Sequence, residues 1–123
     1  MATYKTIPTE DEEQVALFDW LDAKHIPAFH VNNEMYTKSW KQKSRAKRMG
    51  VRSGVPDVFA VLPTKVVAIE LKRTKGGVVS DNQKYWIKTL NDAGLKSIVA
   101  RGASEAIAFI ETEIKNERTK YGK

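Results

Sequence analysis

Glu70 and Lys72 stand two apart in an otherwise apolar run, Val66–Arg73 (VVAIELKR). A run this apolar and this rich in β-branched residues reads as a buried strand. Charges are rare in such places unless something pairs with them. Side chains alternate along a strand, so Glu70 and Lys72 project from one face and Val67, Ile69 and Leu71 from the other. Asp57 opens a second run, Asp57–Leu62 (DVFAVL), and Pro63-Thr64-Lys65 between them has the length of a hairpin connection. If the two runs pair, Asp57 approaches Glu70. Carboxylates held together raise a pKa unless a cation lies between them. An all-oxygen donor set suits a hard divalent ion such as Mg²⁺, and a backbone carbonyl such as that of Leu71 could add a ligand. An ion held by Asp57 and Glu70 would polarise a phosphoryl oxygen and acidify water. Lys72, on the same face, would orient or help deprotonate that water, or offset charge on the phosphate. The chemistry implied is hydrolysis of a phosphodiester. Taken alone, the Glu-x-Lys triplet is better read as a salt bridge on an exposed sheet face. The order Pro56-Asp57, hairpin, Glu70-x-Lys72 is more specific.

A second concentration of charge points to the substrate. Between Glu34 and Asp57 there is no acidic residue, yet the stretch holds Lys38, Lys41, Lys43, Arg45, Lys47, Arg48 and Arg52. These seven cations exceed the net charge of the whole chain, +6, and Tyr36 and Trp40 lie among them. A basic segment with interleaved aromatics suits a phosphate backbone, where each neutralised phosphate releases counterions. A solvated loop or an anionic-membrane patch is the plainer alternative. The chain has 123 residues, enough for one domain and one core, and 41% of them are hydrophobic. It has no cysteine, which excludes disulfides, zinc-thiolate sites and cysteine nucleophiles. No leader-like segment and no apolar run near the roughly 20 residues of a membrane span are present. The expectation is a cytoplasmic protein with no membrane partner.

These groups need a frame. Thr9-x-x-Glu12 is a capping-box pattern, and Gln14 to Lys24 carries Val15, Leu17, Phe18 and Leu21 at helical spacing until Pro27 ends it. Ala28–Val31 reads as a short strand. Asn32 to Gly54 is polar and basic, with one or two helical turns around Ser39–Met49. After the two strands already described, Gly76-Gly77 marks a flexible loop. Ser80-x-x-Gln83 repeats the capping pattern and starts a helix through Tyr85, Trp86 and Leu90, with Gly94 as its stop. Ser97–Ala100 reads as a last strand. Ser104 to about Arg118 reads as a last helix with Ile107, Ile110 and Ile114 on one stripe, and Thr119–Lys123 as a frayed tail. The order α-β-β-β-α-β-α predicts an α/β domain, a mixed sheet flanked by helices.

Gly54-Val55-Pro56-Asp57 followed by Ile69-Glu70-Leu71-Lys72-Arg73 resembles the PD-(D/E)XK nuclease signature. With Glu10 and Gln14 four apart, Gly76-Gly77, and Ser80-x-x-Gln83-x-x-Trp86, it resembles more narrowly the VRR-NUC family, from about Thr9 to Ile114. It looks most like the compact stand-alone members of bacteria and their viruses. The resemblance implies a restriction-endonuclease-like core, Mg²⁺ or Mn²⁺ dependence, metal binding by Asp57 and Glu70, and a catalytic Lys72. It implies a homodimer that cuts branched DNA, including four-way junctions. A less selective nuclease on flaps, ends or single strands, or a non-catalytic junction binder, are the alternatives.

The resemblance also implies a catalytic glutamate on the first helix. Glu10 matches the Glu-x-x-x-Gln spacing, with Glu13 the alternative; acidic residues also suit a helix N-terminus without any catalytic role. Gln83 matches the family's glutamine, and it equally completes the Ser80 capping box. Arg73 joins the basic residues as a nucleic-acid contact. His25 and His30 have no metal-ligand spacing between them. A partly buried structural role is expected for His30, although its segment resembles one that borders the family's site. Trp20 and Trp86 sit at helical core spacing, which favours packing or a dimer contact over base stacking.

Overall fold

The computed structural model describes residues 6–32 and 39–121, the last three as backbone. The elements are α1 (Glu10–Ala23), β1 (Ala28–His30), α2 (Trp40–Arg48), β2 (Val58–Val61), β3 (Val66–Lys72), α3 (Asp81–Asp92), β4 (Ser97–Arg101) and α4 (Ala103–Tyr121). The sheet runs β1-β2-β3-β4 and is mixed as expected: the first three strands are antiparallel, and β4 lies parallel to β3. Both predicted capping boxes form, at Thr9 with Glu12 and at Ser80 with Gln83.

The core follows from β3, which is buried from Val67 to Lys72. Val67 and Ile69 pair with Ala60 and Val58 of β2. With Leu71 they join Leu17 and Leu21 of α1 and Ala106 and Ile110 of α4 in one apolar cluster. Phe29 and Phe59, opposed across β1 and β2, stack at 5.4 Å. No helix among the described residues is long and apolar enough to cross a membrane.

Several boundaries differ from expectation. α1 ends at Ala23 with Lys24 as its cap, and His25 adopts φ 58°; the stop precedes Pro27 and comes from a left-handed turn. The basic segment holds a full helix, α2, capped by Ser39, so the order is α-β-α-β-β-α-β-α. It buries no residue, which is why no apolar stripe announces it. β1 is one residue shorter than expected, and β2 loses both ends of its run. β3 stops at Lys72, while β4 extends to Arg101, whose pairing with Lys72 completes the parallel ladder. α4 continues through residues expected to fray, to Tyr121. Its last turns are tied to the sheet by buried carboxylates: Glu113 pairs with Lys65 and Lys96, and Glu117 accepts hydrogen bonds from Thr64. The Gly76-Gly77 loop is held, because the Arg101 guanidinium donates to both glycine carbonyls at 2.6 and 3.1 Å.

Candidate active site

Pairing of Val58 with Ile69 puts Asp57 at the step opposite Glu70. Asp57 is fixed there by β3 itself: the Leu71 N–H donates to its Oδ1 at 3.0 Å. Glu10 projects from the first turn of α1 to the same point, and one carboxylate oxygen from each of Glu10, Asp57 and Glu70 lies within 4.8 Å of the others. Lys72 Nζ is 3.7 Å from Glu70 Oε2. Gln83 Nε2 donates to that same oxygen at 3.1 Å, while its Oε1 accepts from the Ser80 N–H at 2.9 Å. The capping-box role of Gln83 is therefore filled by one end of its amide, and the other end reaches the Glu70 carboxylate. These groups line a polar cleft of about 670 Å³ that Gln14, His30, Asn32 and Ser53 also border.

The electrostatics are those of an acid cluster that the nearby cation, Lys72, only partly offsets. Burial is the main cause that raises the Glu70 carboxyl to about 8, followed by the charge of Asp57, with Lys72 pulling the other way. Burial also raises Asp57, against the hydrogen bond from Leu71. The donor set fits a hard divalent cation: three carboxylates close enough to converge, two of which, Asp57 and Glu70, the fold alone disfavours in ionised form.

Glu13 is occupied elsewhere. It is buried, and its Oε1 accepts the Ala103 N–H at 2.8 Å, where α4 begins. Gly102, with φ 94°, passes within 3.5 Å of the same carboxylate if given a Cβ. His30 is exposed rather than partly buried; its Nδ1 lies 2.8 Å from the Asp57 carbonyl oxygen. That contact escaped the sequence, as did Asn32 and Ser53 at the cleft wall, because it joins residues 27 apart through the β1–β2 pairing.

Gly54 fixes the cleft's outer wall. Its φ is 91°, and a Cβ there would lie 2.5 Å from the Asn82 carbonyl carbon and 2.7 Å from the Gln83 nitrogen. Only glycine lets the loop before Asp57 lie against the first turn of α3.

Of the expected nucleic-acid contacts, Lys41, Lys43, Arg45, Lys47 and Arg48 are exposed along α2. Arg52 is exposed, and its Nη1 donates to the carbonyls of Lys47 and Val51. Lys38 lies outside the described residues. Arg73 is exposed, and its guanidinium donates to the carbonyls of Ile7 and Pro8, tying down the segment before α1. Trp20 packs half-buried against the core, and Trp86 is half-buried with its ring edge-to-face on Tyr85.

A mixed sheet carrying an aspartate before one strand and a Glu-x-Lys at the end of its neighbour is the core of a PD-(D/E)XK nuclease. The family model for the VRR-NUC domain matches residues 8–104, and the chain belongs to that family. A solved structure described as a "VRR_NUC domain protein" is similar over 89% of this chain and 91% of its own, with a TM-score of 0.72 and 25% sequence identity. No curated protein matches the chain. Membership indicates a nuclease-type function.

Proposed function

We propose that the chain is a Mg²⁺-dependent endonuclease, served also by Mn²⁺, that hydrolyses phosphodiesters in branched DNA such as four-way junctions. What supports this is the convergence of Glu10, Asp57 and Glu70 to within 4.8 Å beside Lys72. Glu10, Asp57 and Glu70 would hold the cation, with the Leu71 carbonyl as a further ligand. When bound, the ion would offset charge on the phosphoryl group and make water easier to deprotonate. Lys72, 8% exposed and beside Glu70, orients the attacking water and receives or relays its proton. Gln83 holds Glu70 in position through its amide. The α2 cations hold the phosphates on either side of the cleavage point.

Two copies of such a site related by a twofold axis would suit paired cuts in a junction, and we take the working form to be a homodimer. The test is cleavage of a labelled four-way junction, beside duplex, flap and single strand, in Mg²⁺ and in EDTA. Metal-dependent junction cutting that Lys72→Ala lowers by at least about a hundredfold, in line with loss of general acid–base help, is expected. Tight junction binding without cleavage of any substrate would instead favour the binding-module reading. Full activity from a strict monomer would remove the dimer.

A further inference from the structure

The face between α2 and α3 carries aromatic and charged surface that hydrolysis at the carboxylates does not use. A groove of about 580 Å³ runs there, bordered by Lys43 and Lys47 of α2 and by Tyr85 and Trp86 of α3. It adjoins the acidic cleft, since Ser53 borders both, and Asn82 in the groove precedes Gln83 in the cleft. Tyr85 is 61% exposed, so the core does not explain it. Trp86 meets it at a ring separation of 5.5 Å, edge to face. α2 contributes cations, no acidic residue and no buried residue, so packing does not explain it either.

Cations beside an exposed tyrosine ring and a half-buried tryptophan match one kind of occupant. Single-stranded nucleic acid offers phosphates to the cations and exposed base faces to the rings. A duplex hides its base faces in the stack. A second copy paired twofold through this face would set the α2 cations of the two chains against each other. We propose that the groove between α2 and α3 holds an unpaired nucleotide segment next to the scissile phosphate. Its bases lie against Tyr85 and Trp86 and its phosphates against Lys43 and Lys47. The placement next to the scissile phosphate rests on the nuclease reading above; the groove's affinity for single strands does not.

The experiment compares binding of labelled oligothymidylate and of a blunt duplex of equal length by fluorescence anisotropy, with the full chain in EDTA so that nothing is cut. Tyr85→Ala is expected to lower single-strand affinity relative to duplex affinity by about fivefold or more, the lower end of base stacking on an aromatic ring. Tyr85→Leu, which keeps apolar bulk without a ring, should give the same loss. Tyr85→Phe should keep the wild-type ratio. An unchanged ratio in the ring-less variants, or a loss in Tyr85→Phe as large as theirs, overturns the proposal. Plasmid nicking by the wild type in Mg²⁺ separates the two ideas. Nicking with ring-independent binding removes the subsite alone. Ring-dependent binding without cleavage of any DNA removes the hydrolysis and supports the groove.

Discussion

Glu70→Gln is expected to make the metal-free protein more stable at alkaline pH while removing its activity. Glu70 is 4% exposed, and burial followed by the Asp57 charge raises its carboxyl from 4.5 to about 8, a value that already includes the opposing pull of Lys72. In the unfolded chain the carboxyl returns to 4.5. Below that pH it is protonated in both states and imposes no penalty. Above about 8 it is ionised in both, and the folded state bears the whole penalty. Stability in EDTA therefore falls as pH rises between these limits. Asp57, also raised chiefly by burial, adds a fall of the same sign in the acid part of the window.

Glutamine mimics the protonated acid and can still accept from Gln83, so the variant should keep what the wild type loses. At about 1.4 kcal/mol per tenfold change in proton affinity, the ceiling is roughly 5 kcal/mol. The cleft is open to water on one side, which reduces this to about 2–3 kcal/mol. For a domain of this size that is roughly 6–12 °C in Tm. Thermal unfolding by circular dichroism at pH 5.5 and 8.5 in EDTA gives most of this as a double difference, in which titrations not coupled to Glu70 cancel. Adding Mg²⁺ at pH 8.5 should recover the wild type and leave the variant little changed. Equal differences at the two pH values would refute the account of Glu70 as a carboxylate held in want of a cation.

Gly54→Ala combines a positive φ with a Cβ 2.5 Å from backbone of α3, so a loss of roughly 2 kcal/mol or more is expected in chemical denaturation. Cleavage should fall with it as Gln83 is pushed back. Glu13→Ala leaves the Ala103 N–H without its acceptor and should lower stability by about 1–3 kcal/mol, measured by urea titration, while Glu10→Ala should remove cleavage and leave the unfolding free energy within about 0.5 kcal/mol. Replacing Lys43 and Lys47 together by alanine should reduce the slope of log K against log salt for single-strand binding by about 1.4, two phosphates' worth of counterions; an unchanged slope would take α2 out of the interface.

Much of the frame was legible because the signals were local. Val66–Lys72 announces a buried strand by composition, and the two capping boxes mark where α1 and α3 begin within four residues of chain. The far end of α4 was not legible. Glu113 and Glu117 look like solvated helix charges, yet they are buried against Lys65, Lys96 and Thr64, whose sequence distance hides the pairing. Arg73 makes a tie that was hidden for the same reason. It sits beside Lys72 in a basic context, but its partners are backbone carbonyls of Ile7 and Pro8, 65 and 66 residues away.

The first-helix acids show what kind of information was missing. Glu10 and Glu13 share one turn, one charge and one favourable position at the helix N-terminus. Three residues advance a helix by about 300°, so the two side chains leave α1 on adjacent faces. One face meets the sheet where Asp57 and Glu70 end up; the other meets the start of α4. Within residues 9–14 only the family's Glu-x-x-x-Gln spacing favours Glu10, because the physical difference lies in which distant element each face encounters. The buried Ala103 N–H requires an acceptor, and Glu13 supplies it at 2.8 Å. A neutral Gln at that position would keep the hydrogen bond, whereas at Glu10 it would remove one of three charges facing the cleft. Parallel Glu→Gln substitutions therefore separate the roles better than alanine does: a silent change at Glu13 and an inactive one at Glu10 follow if one acid caps a helix and the other faces a cation.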